Sequence, residues 1–427
     1  MSGLSRWGLS VLWFVVVHGG LCAQRTWIVD KYGRGGEDFD NLPAALAAAA
    51  PGDTIFLRAT GPDPLLDGYG IGAATVTEGL RILGESGGLP VIVSGSWTVR
   101  NLPSDQHLVL SNVSLRGDPN VEFFFLDCAA CAGTITLDRI TLTGLFLGPS
   151  GTPFGSGMAY TPAHPSTRFV DCDLVTLTHC TIDTVDTSWQ FVRSRGMIDD
   201  TTMEQSLSYA GLVGNQLWLG ALRAEDSELW ISGSTITGPS PNVSIAASGH
   251  SSGPAVYLCR STVHVGGGSA ITGGTSYFGT QYGPFGNFSC WRNPADWPHI
   301  YHDSSVLLRH GLAGNIVYHA GPQAAVRYTQ TATTLTIAHH FDQQPGATLL
   351  LIGQHRLPAW SDVIGPVFLD AVTAWSDLRI APQTGPVTHA FAIPPGIPPG
   401  TLLAVQAFNW LQPDTFLTSN VTTVGFW

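Results

Sequence analysis

The sequence predicts an all-β chain: a β-solenoid covered in front by one short helix and followed by a small antiparallel β-sandwich. Five ten-residue segments align without gaps: LVLSNVSLRG from Leu108, ITLDRITLTG from Ile135, VTLTHCTIDT from Val175, LWISGSTITG from Leu229 and VYLCRSTVHV from Val256. Composition points the same way. Charged residues make up 12%, about half the ~25% usual for a soluble domain, while Gly (50) and Pro (28) are plentiful. Past residue 319 the pattern changes to short apolar runs separated by Pro/Gly turns.

The first 23 residues read as a secretory signal, with one positive charge at Arg6, an apolar run from Leu9 to Val17 and small residues before Gln24. That run is too short to span a bilayer, and no later segment resembles a transmembrane helix, so the mature chain is expected to be exported. Seven Cys become six if Cys22 leaves with the signal, which allows structural cystines or buried free thiols. The CAAC of Cys128 and Cys131 has no second CxxC and no βαβ context, which argues against a zinc or redox role.

Next comes DFDNLPAALAAAAPGDTIFLR, Asp38 to Arg58, which passes from a polar start through an Ala-rich helix of about 41–50 to an apolar strand. Asn41 is the expected N-cap, Pro51-Gly52 the stop, and Leu42 and Leu46 share one face. A stack of strands leaves open edges and an open core at its first turn, and a helix of this size can cover them.

The repeats then build the stack. Each copy is apolar at positions 1, 3 and 8 and carries Ser or Thr at position 7 (Ser114, Thr141, Thr181, Thr235, Thr262). Their starts lie 27, 40, 54 and 27 residues apart, which indicates a base period of 27 with inserts and room for one degenerate copy in the gap of 54. Alternation at positions 1 and 3 marks a strand, and the polar pair at 4 and 5 permits a corner. A unit this small cannot bury its own apolar face, so successive units must stack in register. Leu110, Leu137, Leu177, Ile231 and Leu258 should form one column. LRILGE near Leu80 and LLRHGLAG near Leu307 read as weaker copies. The Leu and Asn spacing of a leucine-rich repeat is absent.

The front of the chain, with its extended TWIVD, Gly-rich link, Ala-rich helix and PGDTI, resembles the N-terminal cap of right-handed parallel β-helix proteins of the pectin lyase-like superfamily. The resemblance covers roughly Thr26 to Asn315 and implies a right-handed coil through 24–318. The remainder, 319–427, is similar to small β-domains appended to exported bacterial repeat proteins. The superfamily's enzymes place their sites between long coil loops. Their motifs do not transfer: SGHSSG around His250 lacks the second Gly of a Gly-His-Gly, no Arg-x-Lys occurs, and the carboxylate and arginine segments of the lyases and esterases are missing.

Candidate chemistry therefore rests on residue types. Asp127, Asp171 and Asp173 stand in FLDC and FVDC, which read as equivalent positions on neighbouring coils. Stacked carboxylates would repel, so one could hold a raised pKa for acid catalysis, or the pair could bind Ca²⁺; the alternative is that they cap turns and face solvent. The segment 275–303 is rich in aromatics, among them Tyr282, Trp291, Trp297 and Tyr301, and ends in His302 and Asp303. Such a loop can grip sugar rings or pack as a plug. The residue types of His299, His302 and Asp303 suit zinc, but their setting in a Pro-containing loop does not single out a metal. A polar insert at 187–216, with Arg193, Arg195, Asp199, Asp200 and Glu204, could set a base beside a positive clamp or be a solvated loop. His339-His340 falls in a strand, where neighbours face opposite sides, so it is no simple chelating pair.

Nineteen basic residues, all Arg except Lys31, against 31 acidic give a formal charge of −12, and no basic stripe appears, which excludes nucleic acid as a partner class. The expectation is an exported, non-catalytic β-helix protein without a required cofactor, binding an extracellular polysaccharide or a cell-surface component through its coil loops. A polysaccharide lyase or glycoside hydrolase is the rival, and an adhesin-like spacer the third reading.

Overall fold

The computed structural model describes residues 25–61, 68–86, 90–116, 125–143, 167–185, 189–206, 221–238, 255–266, 269–272, 308–310, 315–318, 325–331, 333–340, 347–353, 355–361, 365–369, 374–380, 386–397, 401–412 and 415–426. The expected signal, the aromatic segment 275–303 with Tyr282, Trp291, Trp297, Tyr301, His302 and Asp303, and the stretch 148–166 lie outside the described residues.

The first part is a parallel β-helix, with 22 strands among the described residues. Each coil crosses three faces. In one, the strand Phe125–Asp138 runs along face 3, turns at Ala130 and continues on face 1, and Thr141–Thr143 then lies on face 2. The next coil, Thr167–Thr178 followed by Thr181–Val185, pairs with it in parallel register. Parallel crossovers of this kind run right-handed because that hand suits the twist of the strands.

The column that defines the stack runs Leu110, Leu137, Leu177, Ile198, Ile231, Val265, each the register partner of the one before. All six are buried. Ile198 is the degenerate copy for which the gap of 54 had room, so 195–206 is a coil and not part of a loop: Arg195–Asp199 lies on face 1 and Thr202–Ser206 on face 2. Leu258 does not join the column. It pairs with Ala224 on face 3, and Thr262 with Glu228 on face 1, so the fifth segment turns the other corner of the coil.

The two corners are alike, which is why the segments aligned. Every non-Gly residue with positive φ among the described residues sits at one of them: Asn112, Arg139, His179 and Asp200 between faces 1 and 2, and Asn101, Ala130, Asp171, Arg193, Asp226 and Arg260 between faces 3 and 1. Gly233 takes the equivalent place in its coil, at φ 55. One residue in the left-handed region reverses the chain and sends the next side chain inward.

Beneath the 3–1 corner those inward positions pass from Leu102 to small residues, Cys131, Cys172, Ser194, Ser227 and Ser261, and the serines form a buried ladder: Cys172 N donates to Ser194 Oγ (3.0 Å), Ser194 N to Ser227 Oγ (3.0 Å) and Ser227 N to Ser261 Oγ (2.9 Å). Cys128, Cys131, Cys172 and Cys180 are free and buried, so the cystine alternative does not hold for them. Burial pushes the Cys180 thiol up to about 12 and raises the Cys128 thiol as well, so these two act as small apolar groups.

The cap helix is Leu42–Ala48, with Asn41 Oδ1 accepting from Ala44 N (2.9 Å) and Leu42 fully buried over the first coil. Asp53 of the PGDT turn ties the helix end to the entering strand by accepting from Ala50 N, Arg25 N and Trp27 Nε1. Burial alone would raise its pKa; those hydrogen bonds outweigh it and hold the carboxyl below its ordinary value.

Antiparallel strands follow from Ala325. One sheet contains Ala325–Gln330, Thr334–His340 and Val387–Ala392; a second contains Trp375–Ile380, Ala347–Gly353, Thr401–Gln412 and Thr415–Phe426. His355–Ser361 and Gly365–Leu369 pair separately. This part docks on the outer side of face 1, where Met197 and Trp230 pack against Leu351, Leu369, Ala404 and Phe408. Among the described residues no helix is long and apolar enough to cross a membrane.

Candidate functional site

The left-handed residue of each 3–1 corner projects outward, one per coil. From Asp171 onward these residues alternate in charge: Asp171, Arg193, Asp226, Arg260. Arg193 donates from Nε and Nη2 to the two oxygens of Asp171 (2.7 and 2.8 Å), and Arg260 does the same to Asp226 (2.6 Å each). Arg260 also lies 3.5 Å from Glu225. The pairs are half exposed, with side-chain exposures of 54% and 50% for Arg193 and Asp171. The serine ladder beneath fixes the spacing of the backbone that carries them.

Beside this row lies a shallow open groove of about 480 Å³, lined by Asp173, Arg193, Arg195, Asp226, Glu228 and Arg260, with Ser194 and Ser227 at its floor. Arg195 Nε donates to the Asp173 carbonyl at 3.1 Å, and its guanidinium is 3.9 Å from the Asp173 carboxylate. Glu228 meets His264 Nε2 at 3.2 Å, and His264 stacks on Trp230 with ring centres 4.9 Å apart.

Asp127 and Asp171 are not stacked as FLDC and FVDC suggested. The register pairs Asp127 with Arg168 and Cys131 with Cys172, so Asp171 corresponds to Ala130, three residues along from the expected match. The left-handed turn fixes this frame. Asp127 lies between Arg100 and Arg168, with Arg168 Nε donating at 3.1 Å and Arg100 Nη2 also hydrogen-bonded to it. Burial would raise the Asp127 pKa; its two arginines outweigh that and hold it low. The Arg193 hydrogen bonds lower Asp171 directly, as Arg260 lowers Asp226. No raised carboxyl of the kind expected for acid catalysis occurs at Asp127 or Asp171.

The raised carboxyl is Asp199, on the covered side of face 1. Burial pushes it up to about 7, Ser232 Oγ donates to its Oδ1, and its Oδ2 is buried without a hydrogen-bond partner. One strand over from Thr178, Asp138 is also buried but accepts from Ser111, Thr178 and His179. Burial raises it, and those partners together with Arg139 more than compensate, keeping it ionised. Arg139 reaches Tyr328 of the docked domain.

In that domain the partner of His339 is not His340. His339 Nε2 lies 3.0 Å from His389 Nε2, and His389 Nδ1 lies 2.7 Å from Asp377, which also accepts from Arg379. An ionised Asp377 requires His389 to carry its proton on Nδ1, so His339 donates through Nε2. Neighbouring strands of the first sheet bring the two histidines together, and Asp377 reaches them from the second sheet, which strand alternation alone does not reveal. Among the described residues no group of three or more His, Cys, Asp or Glu is placed to hold a metal.

The groove arginines and carboxylates were only partly visible in the sequence. Arg193 and Arg195 stood out, but Asp226, Glu228 and Arg260 did not. Their signal is a recurring tripeptide, a left-handed residue followed by an inward small one: VDC at 170–172, VRS at 192–194, EDS at 225–227 and CRS at 259–261.

No protein-family model matches this sequence, and no curated protein matches it. Among solved structures, the enzymatically active domain of bacteriophage CBA120 tailspike protein 4 is similar over 88% of this chain at 11% identity, with a TM-score of 0.26. The match spans 64% of that tailspike chain. The description of this chain as a parallel β-helix rests on its own strand register.

Proposed function

We propose that this is an extracellular, non-catalytic β-helix protein of the pectin lyase-like kind that holds a glycan along the corner between faces 3 and 1. One observation carries the reading: sequence-distant arginines and carboxylates meet in an open polar groove, each carboxylate of the row already neutralised by a guanidinium. Exposed guanidinium–carboxylate pairs offer donors and acceptors side by side, which suits vicinal hydroxyls, and the arginines that hold the Asp171 and Asp226 carboxyls low keep those two from acting as proton donors near neutral pH.

Retention on immobilised polysaccharides tests it. The wild-type protein should be retained and an Arg193→Ala/Arg260→Ala variant should elute early, with no reducing ends or unsaturated products released from the polymer. Turnover of any polymer would contradict the non-catalytic reading.

A further inference from the structure

Resting on that reading, we infer that the ligand is an uncharged polyhydroxylated glycan and that the groove excludes acidic polysaccharides. The inference follows from how the guanidiniums are used. Bidentate recognition of a carboxylate needs two parallel N–H donors from one guanidinium edge. At Arg193 and at Arg260 one such edge, Nε with Nη2, is committed to Asp171 and Asp226, so a ligand carboxylate is left only the Nη1 end of a guanidinium whose charge is already matched. Arg195 is turned to the Asp173 carbonyl. Glu225 is held by Arg223 at 3.0 Å as well as by Arg260, and with that pair counted five carboxylates (Asp171, Asp173, Glu225, Asp226, Glu228) face four guanidiniums (Arg193, Arg195, Arg223, Arg260), so a polyuronate would meet like charge where it needs a fork. A neutral sugar meets no such repulsion.

The row also constrains orientation. Its residues advance one coil at a time, about 4.8 Å per step along the stack axis. Because the row alternates acid and base, a linear polymer lying parallel to that axis can make the same contact at every second coil, about 9.6 Å apart, and weak contacts add through effective concentration.

The test compares a neutral glucan or mannan with polygalacturonate, each titrated at low and high salt with the wild-type protein and an Asp171→Asn/Asp226→Asn variant. The inference expects the wild type to bind a neutral polymer with little salt dependence and to leave polygalacturonate unbound. Freeing the two forks should raise polygalacturonate affinity by about tenfold or more, in a salt-sensitive manner. Salt-sensitive binding of polygalacturonate by the wild type would overturn the inference while leaving glycan binding in place. Binding of no polymer by the wild type would overturn both. If the double variant unfolds at a lower temperature, the single Asp226→Asn variant and the wild-type comparison still decide.

Discussion

Asp171 and Ala130 occupy the same corner position on successive coils, both in the left-handed region at φ near 53–54, yet only Asp171 carries a charge. For a residue other than Gly, Asn or Asp that conformation is strained. Ala130→Gly should therefore stabilise the protein by about 0.5–1 kcal/mol, read as a shift in the denaturation midpoint. A second residue-scale prediction concerns the chain Asp377, His389, His339. Burial, the neighbouring His389 and Arg379 lower His339 to about 3 from an ordinary value of 6.5, and burial also lowers His389 against the pull of Asp377. A histidine whose folded pKa is depressed contributes stability that is complete above about 6.5 and lost as the pH falls toward the folded value. Melting temperatures of the wild type should fall between pH 6.5 and about 3, and His339→Gln, which keeps a donor toward His389, should flatten that slope. An equal slope in the variant would remove His339 as its source. Little of this was legible in the sequence: the strand pattern disqualified His339-His340, but only tertiary pairing supplies His389.

At the scale of the coil, the sequence revealed the period and most of the column because side chains buried in register must be apolar in every turn. It misplaced the fifth segment because both corners consist of strand, left-handed residue, buried inward residue and strand, so VYLCRSTVHV fits either one. The inward serines make this testable. Ser227→Ala leaves the buried Ser194 N–H without its acceptor and should cost about 1–3 kcal/mol, measured by urea unfolding. Gly196 tests the packing between the same coils. A methyl group there would lie 2.7 Å from Phe191 Cε1 and 2.8 Å from Leu229 Cδ2, so Gly196→Ala should destabilise by about 1–3 kcal/mol. An unchanged midpoint in either variant would show that the coils do not stack as described.

Across the whole molecule, the antiparallel part covers the outer side of face 1, and the groove runs along the neighbouring 3–1 corner beside it, joined to the docking contact through Glu228, His264 and Trp230. The β-runs of that part were readable from Pro/Gly punctuation, but its docking surface was not, because Met197 and Trp230 stand next to the inward-facing Ile198, Leu229 and Ile231 and only register puts the two on one outer face. Asp199 lies on that covered side. Its carboxyl, raised to about 7 by burial, contributes stability that is full below about pH 4 and lost as the pH rises toward 7. Asp199→Asn should remove that loss and raise the melting temperature at pH 8; a fall would mean that the ionised carboxylate is stabilising. The central claim is that four corners far apart in sequence make one glycan-binding surface. Carbodiimide labelling of exposed carboxylates, with and without a retained neutral polysaccharide, tests it most directly. Asp173, Asp226 and Glu228 should be protected together, with Asp40 near the cap unaffected; bound polysaccharide that leaves those three labelled as before would show that the groove does not hold it.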